Sequence, residues 1–171
     1  MKFKKDAQYF EAKIYSLASS QQETYVILED KQKARLLPIE IGNIAASSIA
    51  IRFTGIAMPR PITQDLFLPI VEHLGGKIKF VSIDNFEKEP YYSSLALEKE
   101  GGEIKFIDMR PSDALAISVR AGCPIWVADD VLEKTLSVKK PISDSEISDF
   151  KSNLDELGPK KFFEQLKKDD N

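Results

Sequence analysis

The stretch IDMRPSDALAISVRAGCPI, residues 107–125, decides how the rest of the chain is arranged. It leads from an apolar strand-like segment into an apolar helix-like segment, and a second strand-like run, IWVA, follows at once. Pro111 suits the first position of a helix, Asp113 favours its positive end, and Gly122 with Pro124 favours its termination. The stretch therefore predicts a strand, a helix and a short strand joined by tight turns.

Two groups of strand-like segments lie on the N-terminal side of this helix. Their β-branched and aromatic runs are separated by polar turns, which predicts two antiparallel meanders. The first consists of residues 8–17, 24–29 and 34–41, and the second of residues 77–84, 91–98 and 103–108. A helix from Gly42 to Phe53 follows the first meander, as the helix at Pro111 follows the second. This order predicts an α+β fold with a weak internal duplication.

A further helix is predicted between the two meanders. Thr63 can cap it, and Gly75 with Gly76 favours its end. Pro69 conflicts with a helix that begins directly after Thr63, because a proline past the first turn removes a backbone hydrogen bond at a cost of roughly 3 kcal/mol. We therefore expect this helix to be kinked or to start late.

The chain changes character near its C-terminus. Ser143 and Glu146 match a capping box, and apolar residues then recur at helical spacing. We expect one α+β domain over residues 1–136 and a helical extension over residues 137–171. The apolar stripes of the extension predict that it packs on its own domain or on a partner subunit.

The composition is typical of a soluble globular protein, with 43% hydrophobic and 30% charged residues. No apolar run approaches the ~20 residues that a membrane helix requires, and no export signal is visible. The single cysteine, Cys123, leaves no disulfide framework and fits a reducing cytoplasm, which is where we expect the protein. The formal net charge of -3 means that any nucleic-acid role must rest on a local basic patch.

Several enzyme classes are disfavoured because their motifs are missing. The sequence has no glycine-rich phosphate loop followed by lysine, no nucleophile elbow and no metal-binding pair of histidines. Cys123 lies in a different segment from the single histidine, His73, and small filler residues are common at such a helix-strand junction. A Cys-His enzyme is therefore not expected.

The turn before the predicted helix at Pro111 concentrates charge. Asp108 ends a strand and Asp113 begins the helix, so both carboxylates could lie at one edge of the sheet and hold a divalent cation such as Mg²⁺ or Mn²⁺. Arg110, between them, could bind a phosphate oxygen. In a simpler interpretation, Asp113 only complements the helix start and Arg110 is its ion-pair partner.

A similar arrangement occurs in PRPITQDL, residues 59–66, where Arg60 precedes a proline and Asp65 follows in the first helical turn. Both Arg-Pro turns could serve only to stabilise the start of a helix, each contributing at most ~1 kcal/mol to the free energy of unfolding. Alternatively, the two turns face each other across one polar cleft. In that case the carboxylates of Asp65 and Asp113 should lie within about 10 Å of each other, the reach of a metal ion or phosphate between them.

These segments resemble the bifunctional nuclease domain family. The resemblance rests on LPIEIG at 37–42, PRPITQDL at 59–66 and DMRPSDALAISVRAGCPIWV at 108–127, and it covers about residues 8–136. It implies an α+β fold, a homo-oligomer, and nuclease activity on DNA and RNA. Together with the chemistry of the side chains, it leads us to predict roles for eight residues: Asp65, Asp108 and Asp113 as catalytic, with Asp108 and Asp113 holding a divalent metal, Arg60 and Arg110 as phosphate-binding, and Thr63, Gln64 and Ser112 as supporting.

The chain departs from the family pattern at Glu40, Thr54 and Gln64, where many members have Trp, an acid and His. The last departure bears on chemistry, since His beside Asp65 could act as a general base and Gln cannot. Two hypotheses therefore stay open. One is a metal-dependent nuclease, and the other is a non-catalytic nucleotide- or anion-binding module that uses the same cleft.

Overall fold

A computed structural model of the chain describes residues 7–19, 23–30, 35–86, 89–134 and 138–139. These residues form one eight-stranded sheet with helices packed on it. The strands are β1 Tyr9–Ser19, β2 Thr24–Asp30, β3 Arg35–Ile41, β4 Lys77–Phe86, β5 Glu89–Glu98, β6 Ile104–Met109, β7 Ile125–Ala128 and β8 Val138–Lys139. The predicted α+β fold is confirmed.

The strand order in the sheet is β6-β5-β4-β7-β1-β2-β3-β8. Strands β1 to β3 form one antiparallel meander and β4 to β6 form the other, as predicted. Strand β7 joins them, because it pairs antiparallel with β1 and parallel with β4. The IWVA run therefore sits in the middle of the sheet, which explains why Val127 is completely enclosed.

The helices are α1 Asn43–Thr54, α2 Phe67–His73, α3 Pro111–Ala121 and α4 Asp129–Lys134, with a 3-10 helix at Thr63–Leu66 before α2. Pro69 lies in the first turn of α2, where its missing N–H removes no helical hydrogen bond. The expected late start is therefore the solution that the chain adopts. Helix α3 begins at Pro111 and ends at Ala121, where Gly122 caps it with a left-handed φ of 61°, as predicted.

The core lies between the sheet and helix α3. Residues 114–118 of α3 are all buried, because the helix packs on β4 and β5 on one side and on α1 on the other. Leu115 and Ile117 contribute their whole side chains to this core. Fully burying an aliphatic side chain of this size stabilises a fold by about 1.5–3 kcal/mol, so the apolar half of the 107–125 stretch has a structural role.

The sheet continues slightly beyond the predicted domain boundary at residue 136. Strand β8 pairs with β3, with Lys139 opposite Arg35 and Val138 opposite Leu36. The remainder of the predicted helical extension lies outside the described residues, so the boundary and the extension stay predictions. Within the described part of the chain, no helix is long and apolar enough to span a membrane.

Candidate anion-binding site

A cleft of about 460 Å³ opens between the end of α1 and the start of α2. The loop that connects α1 to the 3-10 helix forms its mouth. Three arginines line this cleft, Arg52 from α1, Arg60 from the loop and Arg120 from α3, and Asp65 is the single acid among the lining residues. We call it the arginine cleft. Three positive charges against one negative charge make its lining carry a formal charge of +2, although the whole chain carries -3.

Arg120 forms the floor of the arginine cleft and ties three elements together. Its side chain is only 5% exposed, and its Nε donates to Oδ1 of Asp65 at 2.5 Å. The other guanidinium nitrogens donate to the carbonyl oxygens of Ala116, at 2.9 Å, and Ser48, at 3.2 Å. A guanidinium removed from water requires such acceptors, because an unpaired buried charge is very costly. Arg120 therefore fixes the 3-10 helix and α1 against α3.

Asp65 uses both carboxylate oxygens in this arrangement. Oδ1 accepts from Arg120, and Oδ2 accepts the backbone N–H of Ile62 at 2.9 Å, which closes the start of the 3-10 helix. The hydrogen bond from Arg120 and then the one from Ile62 hold the pKa of Asp65 below its usual value, against a smaller opposing effect of burial; the charge of Arg52 adds to the lowering. Asp65 is thus ionised, and both of its oxygens already accept hydrogen bonds. This arrangement suits a residue that positions others better than it suits a general base.

Arg52 and Arg60 differ from Arg120 because they are exposed. Within the described part of the chain, neither has a hydrogen bond or an ion pair. Their guanidinium groups can therefore turn into the cleft and bind an anion. Guanidinium presents parallel N–H donors that match two oxygens of a phosphate, and such charge-assisted hydrogen bonds are about twice as strong as neutral ones.

The second Arg-Pro turn lies at the N-terminus of α3 and has the simpler arrangement. Arg110 donates from Nε to Oδ2 of Asp113 at 2.8 Å and from a terminal nitrogen to Oδ1 at 3.2 Å. The Arg110 side chain is 79% exposed, and its hydrogen bond with Asp113 raises its pKa. The pair is therefore a solvent-exposed clamp at the helix start, and Ser112 is the second residue of the same helix.

The structure does not bring Asp108 and Asp113 together. Asp108 is opposite Ser94 of β5, whereas the next residue, Met109, packs on the core that contains α3. Because successive side chains of a strand point to opposite faces, Asp108 faces away from the side of the sheet on which α3 lies. It is exposed there, on the edge strand β6.

The two Arg-Pro turns contact the same helix at its two ends. Asp113 is in the first turn of α3, while Asp65 binds Arg120 in the last turn. Seven residues separate Asp113 from Arg120, which corresponds to about 10 Å along the helix axis. Each aspartate has its own arginine partner, so the structure gives two ion pairs. The predicted separation of Asp65 and Asp113 below about 10 Å stays a prediction.

The carboxylates are poorly placed to hold a divalent cation. Among the described residues, no three His, Cys, Asp or Glu side chains come together as a possible metal site. Asp65 and Asp113 have their charges compensated by arginine, and Asp108 lies on another face. Mg²⁺ needs only one or two protein carboxylates, because water and substrate oxygens complete its shell, but Asp113 is paired with Arg110 and the strand register turns Asp108 to the other face of the sheet. The predicted pair Asp108 and Asp113 therefore does not fit such an ion in this arrangement.

Sequence reasoning identified Arg60 and Asp65 in the cleft but missed Arg52 and Arg120. Thr63 and Gln64, predicted as supporting residues, belong to the 3-10 helix beside Asp65 and are not among the residues that line the cleft. A signal for Arg120 existed, since it is the one basic residue in a helix otherwise made of small and apolar side chains plus Asp113. An arginine among such side chains is carried into the core with them, so it needs an acidic partner there.

Comparison with known proteins gives the family. The bifunctional nuclease domain matches residues 26–140. Two uncharacterized proteins of Mycobacterium tuberculosis are 32% identical over 151 residues, which is 83% of this chain and 90% of each relative. Bifunctional nuclease 1 of Oryza sativa subsp. japonica is 33% identical over 94 residues, and Bifunctional nuclease 1 of Arabidopsis thaliana is 31% identical over 94. These matches cover 54% of this chain and only 28% and 29% of the plant proteins. The chain therefore belongs to the bifunctional nuclease domain family.

Proposed function

We propose that this protein binds the phosphodiester backbone of DNA or RNA in the arginine cleft and cleaves it as a nuclease. The observation that carries the proposal is the pair of exposed arginines, Arg52 and Arg60, above a floor fixed by the Asp65–Arg120 ion pair. The guanidinium groups of Arg52 and Arg60 are therefore available to the ligand, whereas that of Arg120 holds the cleft in shape.

The charge of the molecule makes a local site necessary. A net charge of -3 repels nucleic acid at long range, whereas the cleft lining of +2 attracts it at short range. Binding should therefore involve few phosphates and should weaken only modestly with salt. Two phosphate contacts correspond to a slope of about -1.4 for the logarithm of the affinity of a single strand against the logarithm of the salt concentration.

Support for cleavage comes from family membership and from the plant relatives that are named as bifunctional nucleases. Of the three aspartates predicted to be catalytic, Asp65 acts through Arg120 as a positioning residue, and Asp113 is paired with Arg110. Asp108 has no ion pair or hydrogen bond from its side chain within the described residues. The proposal includes no step through a metal ion, because the predicted ligands do not form a set that fits one.

Binding without cleavage is a second candidate function, and one observation favours it. Asp65 has both oxygens occupied, and its neighbour Gln64 cannot take up a proton as a histidine would. The residues at the cleft can therefore hold a phosphate while lacking a base at this position.

The test measures binding and cleavage of a labelled single strand by the full chain and by two matched variants. Arg60→Ala removes a free arginine of the cleft, and Arg110→Ala removes an exposed arginine that is already paired. Loss of one charge-assisted contact should weaken binding about ten- to a hundredfold in Arg60→Ala and leave Arg110→Ala close to the native value. Each assay is repeated with a chelator, which reports a metal requirement directly.

Equal loss in both variants, or in neither, would overturn the assignment of the cleft. Cleavage that survives unchanged in Arg60→Ala protein purified in the same way would show that the activity comes from another site or from a contaminant. Retained binding with no cleavage under any metal condition would establish the second candidate function.

A further inference from the structure

The arginine cleft has an apolar part beside its charged groups. The exposed residues that form this part are large apolar side chains or prolines, and we call them the apolar lining: Ile56, Met58, Pro59, Pro61, Leu66 and Pro69. Ile56 is 58% exposed, and Met58 and Leu66 are each 43% exposed. Single exposed apolar side chains are ordinary, but a group of them inside a concave site is typical of a binding groove.

The apolar lining offers few groups that could form hydrogen bonds. A proline has no backbone N–H, so half of the lining residues can lie against an apolar group without leaving such a donor unpaired. The side chains of Ile56, Met58 and Leu66 donate no hydrogen bond either. The apolar lining can therefore cover the flat face of an aromatic ring, but none of its side chains can donate to the edge of one particular base.

Arg60 is fixed where the charged and the apolar parts of the cleft meet. Pro59 precedes it and Pro61 follows it. Each proline fixes its own φ, and Pro61 also restricts the backbone of Arg60 to extended conformations. Arg60 therefore has little backbone freedom, although residues 52–61 are all exposed. A ligand that binds here has less of the chain to order, which favours affinity.

The volume of the cleft limits what it can hold. About 460 Å³ lies within the range of small-molecule pockets, roughly 300–1,000 Å³, so the cleft can admit a single nucleotide. A base pair with both of its strands does not enter such a space. The bases of a duplex reach a pocket only when they are flipped out, which costs unpairing and unstacking, whereas the bases of a single strand are already accessible.

We propose that the arginine cleft binds one unpaired nucleotide of a single strand, with its phosphate on Arg52 and Arg60 and its base against the apolar lining. The inference rests on the proposed function and names its substrate class: single strands in preference to duplexes, with little dependence on the identity of the base. The arginines attract the phosphate, and the lining removes the base from water. Covering roughly 50 Å² of apolar surface corresponds to about tenfold in affinity.

The experiment compares two labelled strands that differ only in their bases. One is a thymidine strand of about 16 nucleotides, and the other is an abasic strand with the same number of phosphates. Fluorescence anisotropy gives the affinity of the full chain for each strand, with a chelator present to suppress metal-dependent cleavage. The native chain should bind the thymidine strand about tenfold more tightly than the abasic strand. It should also bind the thymidine strand more tightly than a thymidine–adenine duplex of the same length, measured below the melting temperature of the duplex.

Two matched variants test the apolar lining without changing its charge. Ile56→Gln alters the lining, and Ile104→Gln makes the same change at an exposed isoleucine of the edge strand β6. Both side chains are exposed, so each variant should keep nearly the native thermal midpoint. Ile56→Gln should weaken binding of the thymidine strand about fivefold and leave the abasic strand unchanged, whereas Ile104→Gln should alter neither. Arg60→Ala should weaken binding of both strands by the same factor, because both carry the phosphates.

Four results would overturn the inference: equal native affinity for the thymidine and abasic strands, equal affinity for the duplex and the thymidine strand, an equal loss for both strands in Ile56→Gln, or no loss for either strand in that variant. All four leave the proposed function standing as long as Arg60→Ala weakens binding of the abasic strand. The proposed function fails if Arg60→Ala binds both strands as the native chain does. That result would also overturn the inference, since the phosphate would not lie on Arg60.

Discussion

Replacement of Asp65 by asparagine tests the ion pair on which the arginine cleft depends. Asparagine has nearly the same shape, but it offers one carbonyl oxygen in place of a charged carboxylate. Arg120, only 5% exposed, then keeps the carbonyl oxygens of Ala116 and Ser48 and loses its counter-charge. A buried charge left without its partner is the most costly outcome of a conservative substitution.

The expected loss of stability follows from the exposure of the two partners. Breaking a fully buried pair on one side costs about 3–5 kcal/mol, and breaking an exposed pair costs under ~1 kcal/mol. The Asp65 side chain is 35% exposed, so water compensates part of the loss. We therefore expect Asp65→Asn to lower the free energy of unfolding by about 2–3 kcal/mol. For a urea slope of about 2 kcal/mol per M, the unfolding midpoint falls by about 1 M or more.

The matched control is Asp113→Asn, which makes the same chemical change in the exposed pair with Arg110. Its urea midpoint should fall much less, because Arg110, at 79% exposed, regains water and only a helix-start contribution of under ~1 kcal/mol is lost. The double variant Asp65→Asn with Arg120→Met should be more stable than Asp65→Asn alone, since it removes the stranded charge. Equal midpoints for Asp65→Asn and Asp113→Asn would refute the structural role assigned to the Asp65–Arg120 pair.

The same pair predicts a pH dependence with a definite sign. The pKa of Asp65 is lower in the folded chain than in the unfolded chain, so its contribution is fully present above the unfolded pKa of about 4. It is lost as the pH falls below that value and through the folded pKa. The native chain should therefore lose more stability between about pH 5 and pH 2 than Asp65→Asn does, measured as the urea midpoint at each pH.

Three further predictions concern single residues. Arg60→Ala should make the salt dependence of single-strand binding shallower by about 0.7 in slope, because one phosphate contact is lost, and an unchanged slope in a titration series would contradict this. The native chain should cleave little, and Gln64→His should increase the cleavage rate, since a general base commonly contributes ~10²- to 10⁴-fold in rate. Robust native cleavage that does not change in Gln64→His would show that the base is elsewhere. Burial raises the pKa of the Cys123 thiol to about 11. Alkylation of the folded chain should therefore be slow at pH 8 and accelerate towards pH 11. Rapid alkylation at pH 8 that is lost in Cys123→Ser would show that the thiol is not buried.

The sequence by itself determined the elements and their order. Pro111 and Gly122 mark the two ends of α3, and alternating apolar runs mark the six meander strands, because backbone preferences and side-chain periodicity act over a few residues. The sequence also located Arg60 and Asp65 near a helix start, where a charged side chain has a local reason to be.

Only the tertiary structure decided which of these charges meet. Asp65 and Arg120 are 55 residues apart in the chain, and their contact depends on how α3 crosses the sheet beside α1. Asp108 and Asp113 are neighbours in sequence, yet strand alternation directs Asp108 to the face away from α3. The arginine cleft likewise results from long-range packing. A sequence pattern carries little information about such packing, because one pattern is compatible with several ways of joining two meanders into a sheet.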